Sequence, residues 1–96
     1  MTYKITFLDS ALKEWNKLDH NTKHLFKKKL QERCEEPCIE KDKLSGLEQC
    51  YKMKLRSLGY RLVYQVFKNR IIIQVVAIGK RDKNYVYELA HKRLDD

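Results

Sequence analysis

The stretch CYKMKLRSLGYRLVYQVF, residues 50–67, decides the fold. It reads as a β-hairpin with two chemically different faces. With Leu58-Gly59 as a two-residue turn, Arg56 lies opposite Arg61, Leu55 opposite Leu62, Lys54 opposite Val63, Met53 opposite Tyr64 and Lys52 opposite Gln65. Directly opposed residues share a face of a sheet, and neighbours along a strand alternate between faces. One face therefore carries Tyr51, Met53, Leu55, Leu62, Tyr64 and Val66, an apolar set that must be covered. The other carries Lys52, Lys54, Arg56, Arg61 and Gln65. A connection one residue longer or shorter mixes the two sets, so the pattern itself favours this register. Gly59 suits a turn position with positive φ, which a side chain at Leu58 tolerates poorly. Cations crowded on one sheet face exceed what solubility requires and point to a polyanion.

The rest of the composition agrees. Ninety-six residues make one domain, and a chain of this length buries roughly 60–70% of its unfolded surface. Lys plus Arg number 21 and Asp plus Glu 13, a formal charge of +8, with a sequence pI near 9.5. Charge of this sign favours an acidic partner, with nucleic acid first and an acidic protein second. The three cysteines give no disulfide framework, and Cys34 and Cys38 flank Pro37 without the second pair of ligands that zinc requires. Met1-Thr2-Tyr3-Lys4 leads straight into a patterned segment, so no signal peptide is expected. The longest apolar run, Ile71 to Ile78, is too short to span a bilayer. A cytoplasmic protein without membrane contact follows.

Outward from the hairpin, Tyr3 to Leu8 alternates as a short strand. Asp9 and Ser10 suit a helix start, and Ala11, Leu12, Trp15 and Leu18 keep the helical period, with Trp15 as core anchor. A second helix starts near Asp19 to Thr22 and runs to Glu36, with Leu25, Phe26, Leu30 and Cys34 inward and Lys23, Lys27, Lys28 and Lys29 as a solvated face. Pro37 ends it. Residues 38–49 form a loop bending at Ser45-Gly46. Lys68-Asn69 marks a second turn, after which Arg70 to Ile78 is an inner strand with Ile71, Ile73 and Val75 on the core face. Ile72, Gln74 and Val76 lie behind the cationic face. Asp82 is the expected N-cap of a last helix to about Leu94, with Val86, Leu89, Ala90 and Leu94 apolar. The order β-α-α-β-β-β-α describes a small α+β domain, with helices packed on one face of a mostly antiparallel four-stranded sheet.

ALKEW at 11–15, KKKL at 27–30, CYKMKLRSLGYRLVYQV at 50–66, GKR at 79–81 and Val86-Tyr87 together resemble the RelE toxins of the RelE/ParE superfamily, over the whole of residues 1–96 as a single domain. The resemblance implies a toxin that cuts mRNA in the ribosomal A site, and so inhibits translation. It implies a RelB-like antitoxin as partner beside the 70S ribosome and mRNA. Operator DNA is met only through the antitoxin complex, which represses the shared operon. It also implies working residues at Lys52, Lys54, Arg61, Arg81 and Tyr87, with Arg56, Lys80 and Gln65 as further nucleic-acid contacts. One departure stands out: some relatives carry an arginine before the loop glycine, where this chain has Ser45.

The chemistry is coherent without metal or cofactor. The ribose 2′-OH attacks the adjacent phosphorus, the 5′-oxygen leaves and a 2′,3′-cyclic phosphate remains. That requires a base, charge stabilisation and a proton donor. His20, His24 and His91 fall outside the cationic face by pattern and read as surface residues, so a lysine must serve as base. Ordinary lysine titrates at about 10.4, so work near neutral pH requires a large downward shift, which crowded like charges supply. Arg61 offers a planar fork for phosphate oxygens, Arg81 a donor for the leaving oxygen, and Tyr87 a stacking surface. Two rival readings share the fold: a ParE-like gyrase inhibitor and a non-catalytic RNA- or protein-binding module.

Overall fold

A computed structural model of the protein describes residues 2–82 and 84–94. Strand β1 (Lys4–Phe7) leads to helix α1 (Asp9–Asn16) and helix α2 (His20–Glu35). A single 3-10 turn (Glu40–Asp42) precedes β2 (Cys50–Leu55), β3 (Tyr60–Phe67), β4 (Ile72–Lys80) and helix α3 (Tyr85–Leu94). The sheet order is β1-β4-β3-β2, with β1 parallel to β4 and the other pairs antiparallel.

The hairpin forms with its two faces sorted as the alternation requires, but its register differs by two. Lys54 pairs with Arg61, Met53 with Leu62, Lys52 with Val63 and Tyr51 with Tyr64. The connection is the four-residue stretch Arg56–Gly59 rather than Leu58-Gly59 alone, closed by Leu58 N donating to Leu55 O at 3.2 Å. A slip of two preserves every face assignment, because the side-chain period is two. Gly59 takes φ +69 as the turn demands.

Tyr51, Met53, Leu55, Leu62, Tyr64, Val66, Ile73, Val75 and Ile78 face α1 and α2, packing on Ala11, Phe26, Leu30 and Cys34. Trp15 anchors this layer between Phe7 and Phe26, with ring centroids at 5.3 and 6.5 Å. Leu12, expected in the α1 stripe, is 42% exposed. Helix α2 is capped by Asp19, whose carboxylate accepts from Thr22 N at 2.8 Å, and its end is tied down by Tyr64 donating from its hydroxyl to Pro37 O at 2.7 Å.

The expectation that the helices share one face holds for α1 and α2 but not α3. Cys50, Val63, Val76 and Ala77 form a second buried cluster with Val86 and Ala90 of α3, so the sheet is covered on both sides. A β-bulge in the β3/β4 ladder at Val63/Tyr64 makes this possible. It absorbs Val76, so that Val76 and Ala77 both serve the α3 layer while Ile78 returns to the α1/α2 layer. Strand β4 begins two residues later than expected. Ile71 occupies the turn with φ +56, a costly backbone for a β-branched residue. Helix α3 likewise starts at Tyr85, and Asp82 contributes a backbone carbonyl, accepting from Tyr85 N at 2.8 Å.

Since β1 covers only Ile72–Val75, the rest of the β4 edge lacks a strand partner. Two side chains stand in for one. Glu14 accepts from Ile78 N at 3.1 Å, while Arg93 donates to Val76 O at 2.8 Å and to both Glu14 oxygens at 2.8 and 2.9 Å. This bidentate pair joins α1 to the end of α3 around the sheet edge. Replacing Glu14 by alanine strands a partly buried guanidinium and a strand N–H. The expected loss is about 2–3 kcal/mol, read as a lower urea midpoint with unchanged slope. A loss below about 0.5 kcal/mol, the scale of a solvated pair, would show that the edge closes without it.

Candidate active site

The face of β2 and β3 that meets α3 carries the predicted cations. Lys54 and Arg61 are directly opposed, and like charges in this position repel at a Cβ separation of roughly 5 Å. Arg81 joins them because its backbone N donates to Gly59 O at 2.7 Å, which clips the end of β4 to the hairpin loop. Lys54, Leu55, Arg56, Gly59, Tyr60, Arg61 and Arg81 line one cleft of about 110 Å³. Tyr87 of α3 stands against Arg61, whose guanidinium carbon lies 5.1 Å from the centre of the tyrosine ring. Helix α3 comes this close because residue 79 is glycine, where a Cβ would lie 3.1 Å from a Val86 methyl.

Two polar atoms here are buried without a partner among the described residues, Arg61 Nε and the Tyr87 hydroxyl. Buried donors are normally satisfied, and these two belong to the Arg61–Tyr87 contact beside the cleft. Lys54 titrates below the ordinary lysine range. The neighbouring Lys52 is the main cause, with burial, Arg61 and Arg56 adding to it and Asp42 opposing. Burial pushes the Tyr87 phenol up, and the Arg61 cation pulls it part of the way back.

The structure therefore brings Lys54, Arg56, Arg61, Arg81 and Tyr87 together, with Lys52 next along β2. It does not bring in the other two sequence candidates. Lys80 pairs with Tyr60 and so points to the opposite side of the sheet from Arg61. Gln65 lies four residues along β3 from Arg61, roughly 13 Å away, with its amide donating to Glu48 O at 3.3 Å.

Two contributors were hidden in the sequence. Lys29, read as part of a solvated face, donates to Lys54 O at 3.0 Å from α2 and so fixes the β2 edge under the site. Asp42 reaches the β2 edge from the 3-10 turn, held by Arg33 at 3.5 Å. Neither has a local signal, because each acts across a non-local contact.

Comparison with known proteins fits this geometry. Residues 5–85 match the family model described as ParE toxin of type II toxin-antitoxin system, parDE. The chain is 49% identical over 94 residues to the mRNA interferase toxin RelE of Escherichia coli strain K12, covering 98% of this chain and 99% of that one. The chain belongs to the RelE toxins of the RelE/ParE superfamily. The solved structure of a double arginine-to-alanine variant of the E. coli RelE toxin, in the free state, superposes with a TM-score of 0.89 at 48% identity, covering 98% of this chain and 99% of that chain. The toxin chain of the intact E. coli RelBE toxin-antitoxin complex superposes with a TM-score of 0.81 at 48% identity, covering 84% and 99%.

Since Arg61 lowers the Tyr87 phenol while burial raises it, Arg61→Ala should move Tyr87 titration to higher pH. Ring-labelled tyrosine NMR reads this directly. A downward or absent shift would mean that the two groups do not sense each other.

Proposed function

We propose that this RelE-family chain is the toxin of a type II toxin-antitoxin pair, a ribosome-dependent mRNA interferase that cleaves the codon in the A site. The observation that carries the reading is the direct opposition of Lys54 and Arg61, with Arg81 lining the same cleft and the Tyr87 ring set against Arg61. A gyrase inhibitor on this fold has no use for that combination. A passive RNA-binding face has no use for an amine held below its ordinary range.

The step runs as follows. Neutral Lys54 accepts the proton of the ribose 2′-OH as its oxygen bonds to phosphorus. Arg61 holds the non-bridging oxygens as negative charge builds on them. The bond to the 5′-oxygen breaks, Arg81 donates to that oxygen, and a 2′,3′-cyclic phosphate and a free 5′-hydroxyl result. Tyr87 supports Arg61 on one face of its ring and orients the nucleotide. Lys52 adds the field that lowers the Lys54 pKa, and Arg56 binds phosphate at the rim. No step uses a metal or cofactor. The ribosome supplies in-line geometry, which is worth several kcal/mol to a site with weak acid–base groups.

The partner that silences this site is a RelB-like antitoxin, acidic or amphipathic enough to neutralise the cationic face. Contact with operator DNA, and repression of the shared operon, run through that complex. Among the described residues no helix is long and apolar enough to cross a membrane, and action on ribosomes is what supports a cytoplasmic location in this reading.

Primer extension on programmed ribosomes tests the reading. Wild type should cut within the decoding-site codon, and Arg61→Ala and Arg81→Ala should each lose about 100-fold or more, the scale of one charge-stabilising group. Absence of cuts from a folded, growth-arresting wild type would overturn it. The base assignment has its own test. Activity rises with pH as Lys54 deprotonates, and Asp42 raises the Lys54 pKa. Asp42→Asn should therefore shift the rising limb of the pH–rate profile to lower pH. A shift to higher pH would remove Lys54 from the role.

A further inference from the structure

The basic face of α2 divides in two. Lys27, Lys28 and Gln31 are exposed, whereas Lys29 and Arg33 are half-buried. Lys29 and Arg33 stand one turn apart and so share a flank of the helix. Both reach the outer edge of β2 from there. Lys29 Nζ donates to Lys54 O at 3.0 Å, and Arg33 Nη2 donates to Asp42 Oδ2 at 3.5 Å.

That edge carries a load. Strand β2 is the last strand of the sheet. Beyond it, among the described residues, the main-chain contacts are a single bridge from Lys43 to Tyr51 and a bond from Leu44 N to Cys50 O at 2.9 Å. Neither reaches the end of the strand that leads into the exposed loop residues Arg56, Ser57 and Leu58. Lys54 faces Arg61 in this stretch, and a like-charge pair favours parting of the two strands. Strand ends with few partners are the first to open.

Lys29 acts at that point. Its ammonium satisfies the Lys54 carbonyl with a charge-assisted hydrogen bond. It comes from α2, which packs on the face that Met53 and Leu55 share, so it lies across the sheet from the Lys54 side chain. The Lys54 amine keeps Lys52, Arg61 and Arg56 as its cationic neighbours, while the backbone of the same residue is gripped from behind. Arg33 holds a second point through Asp42, next to the Lys43 bridge. Lys52 lies between the two grips.

We propose that Lys29 is a positioning residue for mRNA cleavage: with Arg33 it clamps the edge strand so that Lys54 stays opposite Arg61 when RNA enters. Lys29 touches neither the RNA nor the reacting atoms. Misplacing a reacting group by about 1 Å costs on the order of 100-fold in rate, so the clamp bears on the bond-breaking step rather than on ribosome binding. The proposal rests on the cleavage reading above, with Lys54 as the base.

The test measures cleavage on programmed ribosomes over a range of full-length toxin concentrations, which separates the saturating rate from the half-saturating concentration. Lys29→Met keeps the length of the side chain without its N–H groups, and Lys29→Arg keeps donors. Lys28→Met removes the same charge from the exposed face. Lys29→Met should lose about tenfold or more in saturating rate, with the half-saturating concentration within about twofold of wild type. Lys29→Arg should recover most of the rate, and Lys28→Met should cut as fast as wild type. Arg33→Met, an independent variant, should show the same split as Lys29→Met. Hydrogen exchange should find the β2 amides opening faster in Lys29→Met and those of β1 and β4 unchanged. A folded Lys29→Met that cuts at the wild-type rate, or loses only affinity and does so as Lys28→Met does, overturns the clamp, as does a slow Lys29→Met whose β2 is fully protected. Arg61→Ala runs alongside: if it is active, the cleavage reading itself is overturned.

Discussion

The direct opposition of Lys54 and Arg61 across β2 and β3 is the constraint that the rest of the structure accommodates. Two cations side by side on a sheet repel, and in an ordinary fold the pair would be a defect. Here it is held in place by apolar packing on the reverse side of the same strands. Met53, Leu55 and Leu62 are essentially inaccessible there, and shifting the register by one to relieve the repulsion would turn them into water. The hydrophobic effect acting on one face thus fixes an electrostatic strain on the other. Lys52 first, and Arg61 after it, lower the Lys54 pKa on this face, and Arg61 Nε is buried without a partner among the described residues.

Everything near the pair extends this logic. Arg81 reaches the cleft through a backbone bond to Gly59, not through a side-chain contact that like charge would oppose. Lys29 braces the β2 edge from the opposite layer by donating to a carbonyl. Tyr87 presents a ring face to Arg61, a favourable contact for a cation that needs support without neutralisation. Asp42, whose field opposes the lowering of Lys54, is itself held by Arg33.

Helix α3 depends on the same economy of edges. It lies on the cationic face because Gly79 lets it approach. Its far end is secured by Arg93 and Glu14, which satisfy the β4 edge that the short β1 leaves bare. The placement of Tyr87 therefore depends on an ion pair that joins α1 to the end of α3 around the β4 edge of the sheet.

The alternation in residues 50–67 determined on its own which side chains share a face, and with it the cationic cluster, because that assignment survives any even slip of register. The same holds for the helical stripe of Phe26, Leu30 and Cys34 and for the turn role of Gly59. What the pattern could not carry was anything that depends on how far a chain travels between elements. The four-residue hairpin loop, the bulge that absorbs Val76 and the late starts of β4 and α3 all keep the periodicity and move only the phase. The position of Lys80 depended on that phase, because the bulge turns it to the opposite side of the sheet from Arg61. Lys29, Asp42, Glu14 and Arg93 each act through a contact with a residue on another element. Only the closed tertiary structure, in which backbone groups at a short sheet edge must find partners, could decide their roles.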